Sequence, residues 1–344
     1  MANNEKKNVC VFGAGSFGTA MGFALAYNGH NVRLLCRTQE AADSINVNHR
    51  NLKYVKDYEL PDNMVGCYNI EEALADVDLI VHAVPMQGSF DYLVERKKHI
   101  PDHVPIVSVS KGIHSEKLIL MNEVFEEALG KDHPTAYLSG PSFAKEIMQK
   151  MVTSVVVAST NPEIAELVQN CFKSSFFRVY VTDDVVGVEL GGALKNVFAI
   201  GAGMLAGLGF GMNSIAALVT RGCHELRQLV IKVGGRPETL SGLSGIGDLM
   251  LTCFGSSSRN RTVGVRLGQG ETLQHILDTS LEVAEGVPTT SAALKLLKKH
   301  ELTLPLMTAI AAVLHGELKP QDALAKMMAL PAGHEESHTT ELIL

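Results

Sequence analysis

A chain of 344 residues is longer than one ordinary hydrophobic core serves, so two domains are expected. Hydrophobic residues make up 46% of the chain and charged residues 19%, which excludes disorder for most of it. The net charge of -7 argues against a nucleic-acid partner, because phosphate backbones require clustered Lys and Arg.

The six cysteines are scattered, with no C-x-x-C pair and no histidine cluster at metal spacing. This pattern is typical of reduced thiols in a cytosol rather than of a disulfide framework or a zinc site. The first seven residues contain no apolar signal-peptide region and lead directly into a strand. We therefore expect a cytoplasmic enzyme without a metal site.

The first strand, Asn8 to Phe12, is followed by G-A-G-S-F-G at positions 13–18 and by a helical stretch that ends near Asn28. Gly13 permits the tight turn, Gly15 lets a pyrophosphate approach the backbone, and Gly18 packs the helix close to the sheet. The pyrophosphate then meets the amides of the helix N-terminus. This pattern predicts dinucleotide binding, the alternative being an ordinary glycine-rich turn.

The second strand runs from Asn31 to Cys36 and ends at Arg37, where an acidic residue would hold the ribose hydroxyls of NAD. An arginine there suits the extra phosphate of NADP, so NADPH is expected to be accepted. Arg33 points to the same side and is expected to share that phosphate. The alternative is a solvated arginine at a strand end.

Further strands are predicted at Leu79–Val84, Pro105–Val109, Thr135–Leu138 and Phe176–Val181, and a capped helix at Asn161. Ligands bind at the carboxyl ends of parallel strands in open α/β sheets. Lys111 and the turn at 139–144 follow two of these strands. They are therefore candidates for contacts with a small, oxygen-rich ligand.

Lys195 is one of only two charges between Val185 and Thr220, the other being Glu189. On a helix, Gly191 and Gly192 lie one turn before it and leave room for a ligand. A lysine in apolar sequence needs a carboxylate, a wet cleft or a ligand. The alternative is a lysine that extends its ammonium to solvent along a half-buried helix.

The uncharged run from Asn196 to Val219 is long enough to span a bilayer. It contains five glycines and has no basic cluster or aromatic belt at its ends. Buried core helices joined between Gly207 and Gly211 are therefore the preferred interpretation over a membrane span.

Two later segments add polar candidates. Asp248 is the only charge between Leu240 and Cys253, which makes it the natural partner of Lys195, although it can also cap its own helix. Residues 255–261 place serines at a helix start followed by arginine, a good oxyanion site. An ordinary serine cap with exposed arginines is the alternative there.

Strand patterns stop near residue 185 and helical patterns replace them. The sequence thus predicts an α/β protein: a Rossmann-type doubly wound sheet over residues 1–185 followed by an all-α domain over 186–330. Residues 331–344 are expected to be a flexible tail.

Several strings, in this order and separation, resemble NAD(P)-dependent glycerol-3-phosphate dehydrogenases of the bacterial type, over essentially the whole chain to about residue 330. These strings are S-K-G at 110–112, G-P-S-F-A-K-E at 140–146, E-L-G-G-A-L-K-N at 189–196, residues 242–253, S-R-N-R at 258–261 and V-A-E-G-V at 283–287.

The resemblance implies reversible reduction of dihydroxyacetone phosphate to sn-glycerol 3-phosphate with NADPH or NADH, a reaction that supplies the phospholipid backbone. The glycine-rich apolar helices favour a homodimer. The resemblance also implies that Lys195 is the proton acceptor in oxidation and the donor in reduction. The implied substrate contacts are Lys111, Gly140, Ser142, Lys195, Asp248, Ser258, Arg259 and Asn260. The implied cofactor contacts, with the glycines of the turn, are Ser16, Phe17, Arg37, Lys111, Ala144, Arg259, Val283 and Glu285. Met86 departs from the small Ser usual after Val-Pro in the family.

Three other functions compete with this one. A 3-hydroxy acid dehydrogenase would carry Asn one turn after the lysine, where this chain has Ala199. A non-catalytic NADPH sensor would leave Lys195, Lys111 and Asp248 without a role. A nucleotide-sugar dehydrogenase would use Cys253 as nucleophile, but no neighbour in sequence activates it.

Overall fold

The computed structural model describes residues 5–280 and 283–331. Most of the predicted tail, residues 332–344, lies outside the described residues. The chain forms two compact units, one of Met1–Lys111 with Leu120–Glu189 and one of Gly112–Ile119 with Leu190–Leu344. These bounds differ from the predicted division at residue 185. Tertiary contacts assign the first residues of the helix that starts at Val185 to the first unit, and they assign residues 112–119 to the second unit.

The first unit is built on one eight-stranded sheet with the order β3-β2-β1-β4-β5-β6-β7-β8. All neighbouring strands are parallel except β6 and β7, which are antiparallel. The first six strands have the order typical of doubly wound dinucleotide-binding sheets, which confirms the predicted fold class. The strands are β1 (Asn8–Phe12), β2 (Asn31–Leu35), β3 (Met64–Cys67), β4 (Leu79–His82), β5 (Ile106–Ser108), β6 (Thr135–Ser139), β7 (Thr153–Ala158) and β8 (Phe177–Thr182).

Two of these strands, β3 and β7, escape the sequence analysis. Strand β3 is a short edge strand whose Val65 is exposed, so it carries little hydrophobic signal. Its Gly66 packs directly on the backbone of Ala42, where a Cβ would lie 2.8 Å from the Ala42 carbonyl oxygen. The need for glycine at position 66 therefore becomes visible only when the packing of β3 against the helix that contains Ala42 is known.

The helices of the first unit are α1 (Ser16–Tyr27), α2 (Gln39–Asn48), α3 (Ile70–Ala73), α4 (Met86–Arg96), α5 (Met121–Leu129), α6 (Ala144–Met148) and α7 (Pro162–Phe172). Side-chain caps fix several of their starts. Thr38 accepts a bond from the Ala41 amide at the start of α2, and Asn161 caps α7 just before Pro162. The start at Asn161 confirms the sequence prediction. Helix α1 is buried on nearly every face, from Gly18 to Ala26.

All regular secondary structure in the described residues of the second unit is helical. Helix α8 (Val185–Gly207) enters it from the first unit. The other helices are α9 (Met212–Val233), α10 (Asp248–Phe254), α11 (Arg259–Gly268), α12 (Leu273–Asp278), α13 (Gly286–Lys299), α14 (Pro305–Leu314) and α15 (Pro320–Met328). The break between α8 and α9 confirms the predicted join at Gly207–Gly211. A π-helical segment, Leu243–Gly247, precedes α10.

Helix α8 is long and apolar enough to cross a membrane by length and composition alone, but 89% of its most apolar window is buried inside the protein. Two of its glycines, Gly203 and Gly207, serve close packing against α11. A Cβ at Gly203 would lie 2.1 Å from the Arg261 carbonyl oxygen, and one at Gly264 would lie 1.9 Å from that of Ile200. The two backbones therefore approach so closely that only glycine fits.

A buried carboxylate on α9 holds the start of α14. Glu225 is 5% exposed, and its two oxygens accept from the backbone amides of Leu306 at 2.7 Å and Met307 at 2.9 Å. These amides belong to the first turn of α14, which has no partner for them within the helix. Burial raises the pKa of Glu225 from 4.5 to about 7, while the two amides and Arg221 oppose the rise.

Glu225 should make the stability of the protein depend on pH. Its folded pKa lies above the unfolded value, so its contribution is complete below about pH 4.5 and is lost as the pH rises through about 7. The loss amounts to about 3 kcal/mol at most. Glu225→Gln removes the titration, so the variant should gain stability relative to wild type between pH 5 and pH 8. Urea unfolding of both proteins across that range checks this; a constant difference between them contradicts it.

Candidate active site

The glycine-rich turn between β1 and α1 forms an open helix N-terminus. Gly13 has φ +103°, and a Cβ there would lie 2.8 Å from the Ala83 carbonyl oxygen. A Cβ on Gly18 would lie 2.0 Å from the Gly13 carbonyl oxygen. In contrast, no atom lies within 4 Å of a Cβ built on Gly15, the N-cap residue of α1, and no side chain caps this end.

This arrangement fits a dinucleotide pyrophosphate. The first amides of α1 have no intrahelical partner, and the helix dipole favours an anion at this end. The space beside Gly15 lets a phosphate approach the backbone without meeting a side chain. Ser16 and Phe17 are the first two residues of α1 and are half-buried beside this space.

The two arginines of β2 have different environments. Arg37 is exposed just beyond the carboxyl end of β2. Arg33 instead donates to the carbonyl oxygens of Ala75 and Ala73 at the end of α3. The expectation that Arg33 shares a cofactor phosphate with Arg37 is therefore wrong, because its guanidinium is directed to the end of α3.

Three predicted site residues of the first unit come together beyond β5 and β6. Lys111 Nζ donates to the Gly140 carbonyl oxygen at 3.3 Å, and Ser142 Oγ donates to the same oxygen at 2.9 Å. Gly140 has φ +134° and lies against the backbone of Val155. Ala144 begins α6 close by in sequence. Met86 is fully buried in the first turn of α4, so its side chain contributes to the core.

Lys195 lies in a buried polar cluster of the second unit. Its ammonium donates to Asp248 Oδ1 at 2.5 Å and to Thr252 Oγ1 at 2.9 Å. The side chains of Lys195 and Asp248 are 9% and 1% exposed. The predicted pairing of Lys195 with Asp248 is confirmed, and the alternative of an ammonium extended to solvent is wrong.

Thr252 is the member of this cluster that the sequence analysis misses. It lies one turn after Asp248 on α10, and its hydroxyl donates to the Asp248 carbonyl oxygen at 2.5 Å. Its oxygen lone pairs therefore accept from the lysine. The i, i+4 spacing of Asp248 and Thr252 is the signal that would have found it.

One of the two glycines that precede Lys195 faces packed backbone rather than open space. A Cβ on Gly191 would lie 2.6 Å from the Ser244 carbonyl oxygen in the π-helical segment. Gly191 thus serves close packing, and the expectation that it leaves room for a ligand is wrong. The reason is that residues far along the chain fill the volume beside it.

The start of α11 combines a cap with a buried amide bridge. Ser258 Oγ accepts from the Arg261 amide at 3.2 Å, as a conventional N-cap does. Asn260 donates to Asn196 Oδ1 at 2.8 Å and accepts from the Gly286 amide at 2.9 Å, which joins α8, α11 and α13. Arg259 is exposed and donates to the Val283 carbonyl oxygen at 3.2 Å. Glu285 directly precedes α13.

Cys253 lies next to Thr252 but is fully buried. Burial raises the pKa of its thiol to about 12, although Lys195 opposes the rise. The thiolate form that a nucleophile needs is therefore disfavoured at neutral pH. A mechanism through Cys253 is not supported. Within residues 5–280 and 283–331, no group of three or more His, Cys, Asp or Glu side chains is arranged to hold a metal ion.

Comparisons with known proteins identify the family of this chain. The family model for the N-terminus of NAD-dependent glycerol-3-phosphate dehydrogenase matches residues 8–165, and that for the C-terminus matches residues 184–325. The chain belongs to the NAD-dependent glycerol-3-phosphate dehydrogenase family. It is therefore an oxidoreductase of a nicotinamide-dependent family.

Relatives within the glycerol-3-phosphate dehydrogenase family cover nearly the whole chain. The NAD(P)-type enzyme of Leptospira biflexa is 48% identical over 321 residues, which are 93% of this chain and 96% of that protein. A chloroplastic NAD-type enzyme of Arabidopsis thaliana is 45% identical over 94% of this chain and 78% of its own length. The crystal structure of the Coxiella burnetii glycerol-3-phosphate dehydrogenase has a TM-score of 0.90 at 34% identity and covers 94% of this chain and 99% of that chain.

Proposed function

We propose that this protein reduces dihydroxyacetone phosphate to sn-glycerol 3-phosphate with NADPH or NADH, reversibly. The observation that carries the proposal is the buried cluster of Lys195, Asp248 and Thr252 in a chain of this family. A buried ammonium held by a carboxylate and a hydroxyl is an arrangement suited to proton transfer at a carbonyl oxygen.

Lys195 is the proton donor to the ketone oxygen in reduction and the proton acceptor in oxidation. A nicotinamide bound here would supply the hydride in reduction and accept it in oxidation. As charge develops on the substrate oxygen, the ammonium stabilises it and then transfers a proton to it. Asp248 and Thr252 hold the ammonium in one position within a region that excludes most water.

The substrate phosphate is assigned to the start of α11. The helix N-terminus favours an anion, and Arg259 adds a guanidinium that binds phosphate oxygens. Ser258 and Asn260 fix this turn through the cap and the amide bridge. Lys111, Gly140 and Ser142 are proposed to contact the remaining oxygens of the substrate, since they meet around one carbonyl group.

The cofactor is assigned to the open N-terminus of α1 and to residues that follow the resemblance. Gly13, Gly15 and Gly18 shape the turn, as their close contacts and open space indicate. The other proposed cofactor contacts are Ser16, Phe17, Arg37, Lys111, Ala144, Arg259, Val283 and Glu285. We further propose a cytoplasmic homodimer that supplies the glycerophospholipid backbone; light scattering of the purified protein tests the dimer.

The direct test is to follow the loss of reduced-nicotinamide absorbance with dihydroxyacetone phosphate, with NADPH and NADH in parallel. Turnover that requires the phosphorylated ketone supports the proposal. A 3-hydroxy acid in the reverse direction is the matched control substrate, and turnover with it alone would favour that class of dehydrogenase. Tight NADPH binding without any turnover would instead favour a sensor.

Arg37 should decide how well NADPH competes with NADH. The arginine lies exposed beyond β2, where it can bind the extra phosphate of NADPH. Arg37→Ala is expected to raise the KM for NADPH roughly tenfold, because one charge-assisted contact contributes about 1.5 kcal/mol. The KM for NADH should stay nearly unchanged. Arg178→Ala, an exposed arginine on β8, is the control. Equal effects on both cofactors would remove Arg37 from phosphate recognition.

A further inference from the structure

Asn51 connects a distant loop to the glycine-rich turn. It lies between α2 and β3 and is 6% exposed. Its side-chain Nδ2 donates to the Ala14 carbonyl oxygen at 2.8 Å and to Thr19 Oγ1 at 2.9 Å. Ala14 is the middle residue of G-A-G, and Thr19 is a fully buried residue of α1. One amide group therefore holds both the turn and the helix that follows it.

This contact fixes the direction of one peptide group. In a planar trans peptide the C=O and the following N–H point in opposite directions. Because the Ala14 carbonyl is directed at Asn51, the Gly15 N–H must be directed away from Asn51. A glycine at this position otherwise allows the Ala14–Gly15 peptide to rotate easily, since it has few steric restrictions. Rotation would leave the Ala14 carbonyl without its side-chain donor.

The same peptide borders the open space at the start of α1. No atom lies within 4 Å of a Cβ built on Gly15. The Gly15 carbonyl accepts from the Thr19 amide at 2.9 Å, so Gly15 is tied to α1 on its other side. Asn51 and this bond together hold both peptide groups of Gly15 in place. We propose that Asn51 is a positioning residue that presets the Gly15 amide for the cofactor pyrophosphate.

This inference depends on the part of the proposed function that concerns dinucleotide binding. It does not involve the proton transfer at Lys195. The alternative is that Asn51 merely stabilises the first unit. The chain offers a matched control for this alternative at the other end of α1. Asn63 Nδ2 donates to the carbonyl oxygens of Ala26 at 2.8 Å and His30 at 2.7 Å, so it has the same chemistry away from the turn.

The experiment compares Asn51→Leu with Asn63→Leu in the full chain. Leucine keeps the branched shape of asparagine and removes its donor. NADPH and NADH binding are titrated by fluorescence, and adenosine 2′-phosphate binding by calorimetry, because that probe lacks the pyrophosphate. Thermal melting reports stability. We expect both variants to melt earlier, while only Asn51→Leu raises the Kd for NADPH and NADH roughly tenfold, the effect of about 1.4 kcal/mol. The Kd for adenosine 2′-phosphate should change less than twofold, well under 1 kcal/mol.

Three results overturn the proposal. They are equal losses of NADPH affinity in both variants, equal losses for NADPH and adenosine 2′-phosphate, and wild-type protein that binds neither NADPH nor NADH. If Asn51→Leu does not fold, Asn51→Ser, whose shorter side chain cannot reach both acceptors, is taken through the same titrations. Wild type that binds NADPH but does not reduce dihydroxyacetone phosphate overturns the proposed reaction and leaves the positioning role of Asn51 intact.

Discussion

Replacing Lys195 with alanine is expected to lower kcat for dihydroxyacetone phosphate reduction by about 10²-fold or more, the range of a lost general acid. The Kd for NADPH should stay within about twofold of wild type, a change well under 1 kcal/mol. The reason is that the ammonium is the buried donor of its cluster, whereas the open glycine turn belongs to the first unit. Steady-state rates and fluorescence titration measure the two effects separately.

Two controls separate chemistry from stability in this experiment. Lys195→Ala leaves the Asp248 carboxylate buried without its partner, so rates must be compared below the melting temperature of the variant. Lys232→Ala, at an exposed lysine in the last turn of α9, should leave kcat unchanged. Small primary amines added to Lys195→Ala should restore part of the rate if a proton donor is what is missing. Near-normal turnover of Lys195→Ala would remove this residue from the mechanism.

Replacing Asp248 with alanine is expected to have the largest effect on stability, a loss of about 3–5 kcal/mol in the free energy of unfolding. Asp248 is 1% exposed, and its carboxylate is the acceptor of the Lys195 ammonium. Its removal leaves a buried cation without a compensating charge, which costs more than the net value of the ion pair. Urea unfolding at neutral pH measures the loss.

The loss of stability on replacing Asp248 should depend on whether the new side chain can still accept a hydrogen bond from Lys195. Asp248→Asn keeps an oxygen that can accept from Lys195, so it should destabilise the protein less than Asp248→Ala. Asp278→Ala, at an exposed position at the end of α12, should change the free energy of unfolding by less than about 0.5 kcal/mol. If Asp248→Ala and Asp278→Ala had equal effects, the buried pair would make no net contribution to stability.

Local patterns predict much of the fold correctly because they depend on neighbours in sequence. The turn at 13–18, the strand at Asn8–Phe12 and the capped start of α7 follow from glycine placement, apolar runs and cap residues. Strand β7 is missed although its T-S-V-V-V-A run carries a local strand signal, while its antiparallel pairing with β6 depends on how the chain returns to the sheet. Edge strand β3 is too short and too exposed to be distinguished from a loop.

The residues of the candidate site also differ in whether the sequence alone reveals their contacts. Lys195 and Asp248 can be paired from sequence, because each is an isolated charge in an apolar segment and burial requires compensation. Thr252, Asn260 and Asn51 carry no such requirement, since polar uncharged residues are common on surfaces. The spacing of Thr252 from Asp248 is a local signal, whereas the contacts of Asn260 with Asn196 and of Asn51 with Ala14 become visible only when these distant partners are known.

The sequence by itself determined the fold class, the glycine turn and the charges that must find partners. Periodicity, glycine and proline placement and isolated charges act over a few residues or through the cost of burial, so they can be read without coordinates. The tertiary structure alone decided that Gly191 packs against Ser244, that Arg33 binds the end of α3 and that Asn51 holds the glycine turn. Each of these contacts joins segments that are distant in the chain, and its geometry depends on how whole helices and strands pack.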